Sequence, residues 1–107
     1  MKQYTPSHYW ENRLQKNFDL TGVGHSGLGP NYNARLYQRR LETLSTGLAR
    51  IKQPLAGSRI FEVGCGTGFY TNYFAQNDVA EYFGLDISPT SVKTLITTAS
   101  VISFCVC

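Results

Sequence analysis

Long apolar runs, clustered charge and a cysteine framework are all missing from this sequence, and each absence excludes a class of protein. Only 16% of the 107 residues are charged, and the 10 Lys and Arg against 7 Asp and Glu nowhere form a run of five like charges. A formal net charge of +3 spread in this way lacks the basic footprint of a nucleic-acid binder, so no nucleic-acid partner is expected. The 3 cysteines, at 65, 105 and 107, are an odd set with neither disulfide nor zinc spacing, so no metal is expected. The longest apolar stretch, Leu95–Cys107, has 13 residues interrupted by Thr97, Thr98, Ser100 and Ser103, too short to span a bilayer as a helix. The polar start, Met1 to His8, has no signal-peptide core, and a cytoplasmic, reducing location with no membrane partner is the expectation.

What is present suits one folded unit. An apolar fraction of 42% and an aromatic fraction of 13% are too high for a disordered chain, and 107 residues support a single core. Tyr9, Trp10, Leu14 and Phe18 recur at helical spacing, which predicts a short helix from Ser7, its N-cap, to Asn17. The stretch Leu20–Asn33 holds Gly22, Gly24, Gly27, Gly29 and Pro30, and is read as a long loop, either a functional lid or a flexible connector. From Asn33 onward Tyr37, Leu41, Leu44, Leu48 and Ile51 form one apolar stripe, with Arg35, Arg39, Arg40 and Glu42 on a solvated face. Gly47 weakens this helix by about 1 kcal/mol relative to alanine, and Pro54 and Gly57 end it.

The second half alternates strand and helix. Arg59–Val63 is a β-branched and aromatic strand that runs into Gly64-Cys65-Gly66-Thr67-Gly68. Phe69, Tyr70, Tyr73 and Phe74 then predict a helix closed by Asn77 and Asp78, Tyr82–Ile87 a second strand, and Ser88-Pro89 the cap of another helix. Such alternation implies a parallel sheet with right-handed crossovers, which puts both strand-to-helix loops on one edge. A ligand binding at that edge meets glycines at 64, 66 and 68, and Asp86, 22 positions beyond Gly64, where a carboxylate can accept hydrogen bonds from ribose hydroxyls.

The loop decides between adenosine cofactors. A dinucleotide fingerprint needs a third glycine five positions after the first, where this chain has Phe69. Glu62, two positions before Gly64, also opposes a pyrophosphate and suits a cationic ligand. No Lys-Ser or Lys-Thr follows the glycines, so a phosphate-binding P-loop is excluded.

Ile60 to Gly68 closely resembles the first motif of class I S-adenosylmethionine-dependent methyltransferases, and Gly84 to Val92 resembles their second strand with its ribose-binding acid. Tyr9-Trp10-Glu11-Asn12-Arg13 is more loosely similar to the helical cap that covers the cofactor in many members acting on small molecules. The resemblance implies S-adenosylmethionine as cofactor and a methyl acceptor that is more plausibly a small molecule. It further implies that the Gly64–Gly68 backbone, including Cys65 and Gly66, faces the methionine part, that Glu62 lies near its ammonium, and that Asp86 holds the ribose. Ile87 then packs on the adenine. Cys65 is read as a small structural thiol, His8 and His25 as surface or lid residues, and Tyr37 as core, although Tyr32 and Tyr37 could also line an acceptor pocket.

The expected architecture is α/β, a Rossmann-like parallel sheet truncated after two to three strands: residues 1–57 form a helical cap and glycine-rich loop, and 58–107 a partial cofactor-binding domain. Val101–Val106 is at best a third strand, and the acceptor-side residues that the family carries beyond it have no counterpart here, so no catalytic residue is assigned. The tail 96–107 lacks a charged helix end and turn, as an out-of-frame segment would. The chain alone is therefore expected to be inactive, its alternative reading being a remnant or pseudoenzyme that at best holds the cofactor.

Overall fold

The computed structural model describes residues 3–97 and 103–107. The N-terminal region is three helices, α1 (Pro6–Lys16), α2 (Leu20–Val23) and α3 (Gly29–Arg50). The N-cap of helix α1 lies two residues earlier than expected. Thr5, not Ser7, is its N-cap residue, because Pro6 at the first position has its φ already set for a helix and forfeits no hydrogen bond there. Near the other end of α1, Arg13 Nη2 donates to the carbonyls of Thr21, at 3.0 Å, and Gly24, at 2.9 Å. The same guanidinium lies over the rings of Tyr9 and Trp10.

The glycine-rich stretch is not the continuous loop that its composition suggests. Asp19 caps α2, its side chain accepting from Gly22 N at 2.9 Å, and Gly29-Pro30 opens α3. Glycine here serves close approach. A Cβ on Gly24 would lie 2.0 Å from Asn33 Oδ1 and 2.5 Å from the Leu20 carbonyl, so the backbone could not otherwise come so near. Asn33, with no exposed surface, accepts from His25 N at 2.7 Å and donates to the carbonyls of His25 and Gly29 at 2.9 and 2.7 Å. A side-chain amide thus replaces the ladder hydrogen bonds that this turn lacks.

Helix α3 buries Tyr37 and half-buries Leu41, Leu44 and Leu48, whereas Ile51, expected in the same stripe, is the C-cap residue and is exposed. Arg35, Arg39, Arg40 and Glu42 are on the solvated side as expected, and the exposed Arg39–Glu42 pair contributes little.

Beyond α3 the order is β1 (Arg59–Val63), α4 (Phe69–Ala75), β2 (Glu81–Asp86), α5 (Pro89–Ile96) and β3 (Ser103–Val106). The fold is the α/β parallel sheet with an N-terminal helical cap, in strand order β1-β2-β3. Register pairs Phe61 with Phe83, Val63 with Leu85, Leu85 with Cys105 and Asp86 with Val106. The third strand expected over Val101–Val106 is present as Ser103–Val106; the remainder of that expectation lies outside the described residues.

Helices α4 and α5 both pack on β2, and the right-handed sense general to parallel crossovers puts them on the same face. Tyr82 is buried on that face, with Phe74 of α4 and Phe104 of β3 against its ring, and a Cβ on Gly84 would collide with Phe104. The opposite face carries Phe61 and Phe83, stacked with centroids 5.6 Å apart, and Val63, all exposed. Among the described residues no helix is long and apolar enough to cross a membrane.

Candidate functional site

Parallel pairing brings the C-terminal ends of β1 and β2 to one edge, and the backbone there is unusually closely stitched. The N–H groups of Gly64 and Cys65 both donate to the Leu85 carbonyl, at 2.6 and 3.1 Å. Asp86 then ties its own loop to the glycine turn: Oδ2 accepts from Gly66 N and Oδ1 from Ser88 N, each at 2.8 Å. A carboxylate has about four acceptor sites, so each oxygen keeps capacity for a ligand hydroxyl. Gly64, at φ +77°, holds a left-handed conformation that a β-carbon would strain, and the space beside it is open.

That space belongs to a cavity of about 410 Å³, within the range of small-molecule sites. The sheet edge supplies Gly64, Gly66, Asp86 and Ile87, joined by Val63 and Cys107. Across from them the helical cap supplies Trp10 and Leu14 of α1, Val23 of α2 and Tyr37 of α3. Tyr37 is both core and cavity wall, its ring edge-on to Phe69 and its hydroxyl 3.4 Å from the Val23 carbonyl, and burial raises its pKa. Tyr32 is exposed beside His25 and does not line the cavity.

Of the seven residues expected to contact cofactor, Gly64, Gly66, Asp86 and Ile87 thus line one cavity, and Glu62, Cys65 and Gly68 do not. Gly68 is the N-cap residue of α4, where a Cβ would lie 2.6 Å from Leu95 Cδ2. Cys65 is buried against Ser91, with Sγ to Oγ at 3.9 Å, and burial raises its pKa to about 11, so it is a packed thiol at neutral pH. Glu62 alternates onto the helix-covered side of β1, where Oε1 accepts from Tyr82 Oη at 2.5 Å and Thr71 Oγ1 at 3.4 Å. The carboxylate that lines the cavity is that of Asp86, whereas Glu62 was expected to stand nearest a ligand's charge.

Burial raises the Glu62 pKa above 4.5; the Tyr82 and Thr71 hydrogen bonds counter that rise and the Asp86 charge adds to it. A raised carboxyl contributes stability that is fully present below the unfolded value and is lost as pH rises through the folded one. Glu62→Gln mimics the protonated form, so its stability relative to the parent should increase as pH rises from about 4 to 7. Urea unfolding across that range checks this, and a difference independent of pH would refute it.

The cap resemblance points to the stretch holding Trp10, but Leu14 and Val23 were not legible as cavity residues, although Trp10 and Leu14, four apart on α1, share a helix face. Glu11, between them, accepts from Ser88 Oγ at 2.8 Å and from Thr90, at the start of α5. Among the described residues no group of three or more His, Cys, Asp or Glu could hold a metal ion.

Residues 61–106 match the family profile described as a methyltransferase domain. Over these residues the chain is similar to methyltransferase domains, in keeping with the class I motifs that it resembles. The matched segment runs from within β1 to the end of β3, and so contains the glycine turn and Asp86. No curated protein and no solved structure matches the chain. The cavity therefore has one wall from the matched segment and another, Trp10, Leu14, Val23 and Tyr37, from residues before it.

Proposed function

We propose that this chain binds S-adenosylmethionine in the cavity between the glycine turn and the helical cap, as part of a methyltransferase acting on a small molecule. The observation that carries the reading is the convergence of Gly64, Gly66 and Asp86 on one 410 Å³ space. Among the described residues no Lys or Arg lines that cavity, while Asp86 does, a balance that favours a cationic sulfonium over a pyrophosphate. The bound cofactor supplies an electrophilic methyl group. The chain's own residues bind and orient it: Asp86 accepts from the ribose hydroxyls, Ile87 packs on the adenine, and the turn backbone faces the methionine part. Trp10, Leu14 and Tyr37 exclude water, and holding the reacting centres in line supplies much of the rate.

The lean toward a small acceptor rests on the helical cap, which encloses the site. No described residue is assigned to the acceptor, so the 107 residues by themselves are expected to bind the cofactor without turnover. Calorimetric titration of the chain with S-adenosylhomocysteine, beside an equal titration with NAD, tests the reading. Saturable binding of the homocysteine compound alone is expected. Preference for NAD, or no binding of either by the folded chain, would refute it.

A further inference from the structure

Glu11 does not line the cavity, yet it joins the two walls. Its carboxylate reaches residues 77 and 79 positions away: Ser88 Oγ donates to Oε2 at 2.8 Å, Thr90 N lies 3.2 Å from both oxygens, and Thr90 Oγ1 donates to Oε1. Ser88 passes the connection on, its N–H donating to Asp86 and its Oγ accepting from Ser91 N at 3.2 Å. A carboxylate among the free N–H groups at the start of a helix is well placed, since both hydrogen bonding and the helix dipole favour the anion. Burial opposes ionisation of Glu11, but the bonds from Thr90 and Ser88 outweigh it and hold the pKa below 4.5.

The neighbours of Glu11 give this contact its consequence. Trp10 precedes it and Leu14 follows one turn later, both on the cap side of the cavity, while Asp86 and Ile87 stand immediately before Ser88 on the other side. Arg13, two residues along α1, is anchored separately to the carbonyls of Thr21 and Gly24. Helix α1 is thus held at two points by opposite charges, Arg13 toward α2 and Glu11 toward α5. Loss of the Glu11 contacts would leave α1 tethered by Arg13 but no longer fixed against the Asp86 loop.

We propose that Glu11 is a positioning residue that latches α1 over the cavity, so that release of Ser88 and Thr90 gates exchange of the adenosine ligand. The proposal rests on the cofactor reading above, and its test separates the two. Trp10 is the only tryptophan of the chain, so its fluorescence reports the docking of α1 whether or not a ligand binds. The full chain is compared with Glu11→Ala, Glu11→Gln and Thr90→Val, by acrylamide quenching of Trp10 and by stopped-flow dissociation of S-adenosylhomocysteine, with circular dichroism to verify folding.

Glu11→Ala and Thr90→Val should expose Trp10 to quencher and speed ligand release about 10- to 100-fold, as expected for lost charge-assisted hydrogen bonds, with little change in association rate. Glu11→Gln keeps one acceptor oxygen but sets its amide nitrogen against the donors that faced the other, so it should release ligand nearly as fast as Glu11→Ala. Should Glu11→Ala fail to fold, Thr90→Val, nearly isosteric, decides alone. Release within twofold of the parent in the folded variants would overturn the latch. If the parent binds no S-adenosylhomocysteine, the cofactor reading fails, and the latch is judged by quenching: unchanged Trp10 accessibility overturns it as well.

Discussion

Asp86→Ala is expected to weaken S-adenosylhomocysteine binding by at least about 100-fold, since charge-assisted hydrogen bonds are worth roughly 1.5–3 kcal/mol each and 1.4 kcal/mol is tenfold. In the proposed binding mode this carboxylate accepts two such bonds from the ribose hydroxyls, and the variant loses both. It also frees the Gly66 and Ser88 N–H groups that Asp86 now holds, so the turn and the start of α5 are no longer tied together. The conservative variant is not a mild one. In Asp86→Asn the amide nitrogen must face either Gly66 N–H or Ser88 N–H, setting donor against donor where one bond of 2.8 Å stood. Calorimetry with each variant, after circular dichroism has shown a folded chain, checks the expectation. A loss below about fivefold for Asp86→Ala would mean that Asp86 organises the turn and does not hold the ligand.

Asn33→Asp should be the most damaging single-atom change in the helical cap. The side chain is fully buried, and its Nδ2 donates to two carbonyl oxygens, those of His25 and Gly29. Aspartate of the same shape places an oxygen, charged unless it takes up a proton, against those carbonyls and retains only the bond from His25 N. Two lost hydrogen bonds and a buried anion without a cationic partner cost about 3 kcal/mol or more at neutral pH, a large part of the stability of a domain this size. Protonation would restore a donor to that position, so the deficit should shrink as pH falls below neutrality. Chemical unfolding of the two proteins at several pH values tests both points; a deficit under about 1 kcal/mol would show that the cap does not depend on this amide.

The same residue marks where composition misleads. Four glycines and a proline between Leu20 and Asn33 imply irregular backbone, yet α2 and the first turn of α3 lie within that stretch. Glycine is ambiguous in a sequence because it marks freedom of the chain and lack of room alike. Gly24 is the second case, and the atom that requires it, Asn33 Oδ1, is nine residues away and becomes its neighbour only when α3 folds back. Elements that depend on local periodicity were more legible. The β1 strand, the stripe of α3 through Leu48, the Ser88 cap of α5 and the second strand follow from spacing and capping chemistry alone, with shifts of a residue or so at several ends, although β2, expected to be buried, leaves Phe83 exposed.

For the site, the division follows the range of the forces involved. The five-residue turn and Asp86 could be read in order because parallel β-α-β connectivity dictates that successive strand ends meet at one edge, whatever the side chains. Side-chain direction is a finer matter. Alternation along β1 turns Glu62 toward Tyr82 and Thr71, and packing against Ser91 and Leu95 assigns Cys65 and Gly68 to the interior. Local sequence determined the strand–turn–helix units, the glycine turn and the acid that follows it, since these rest on contacts within a few residues and on the handedness of crossovers. Only the tertiary structure decided that Trp10, Leu14, Val23 and Tyr37 close the cavity and that Glu11 bonds to Ser88 and Thr90, because these contacts join segments far apart in the chain and no periodicity encodes them.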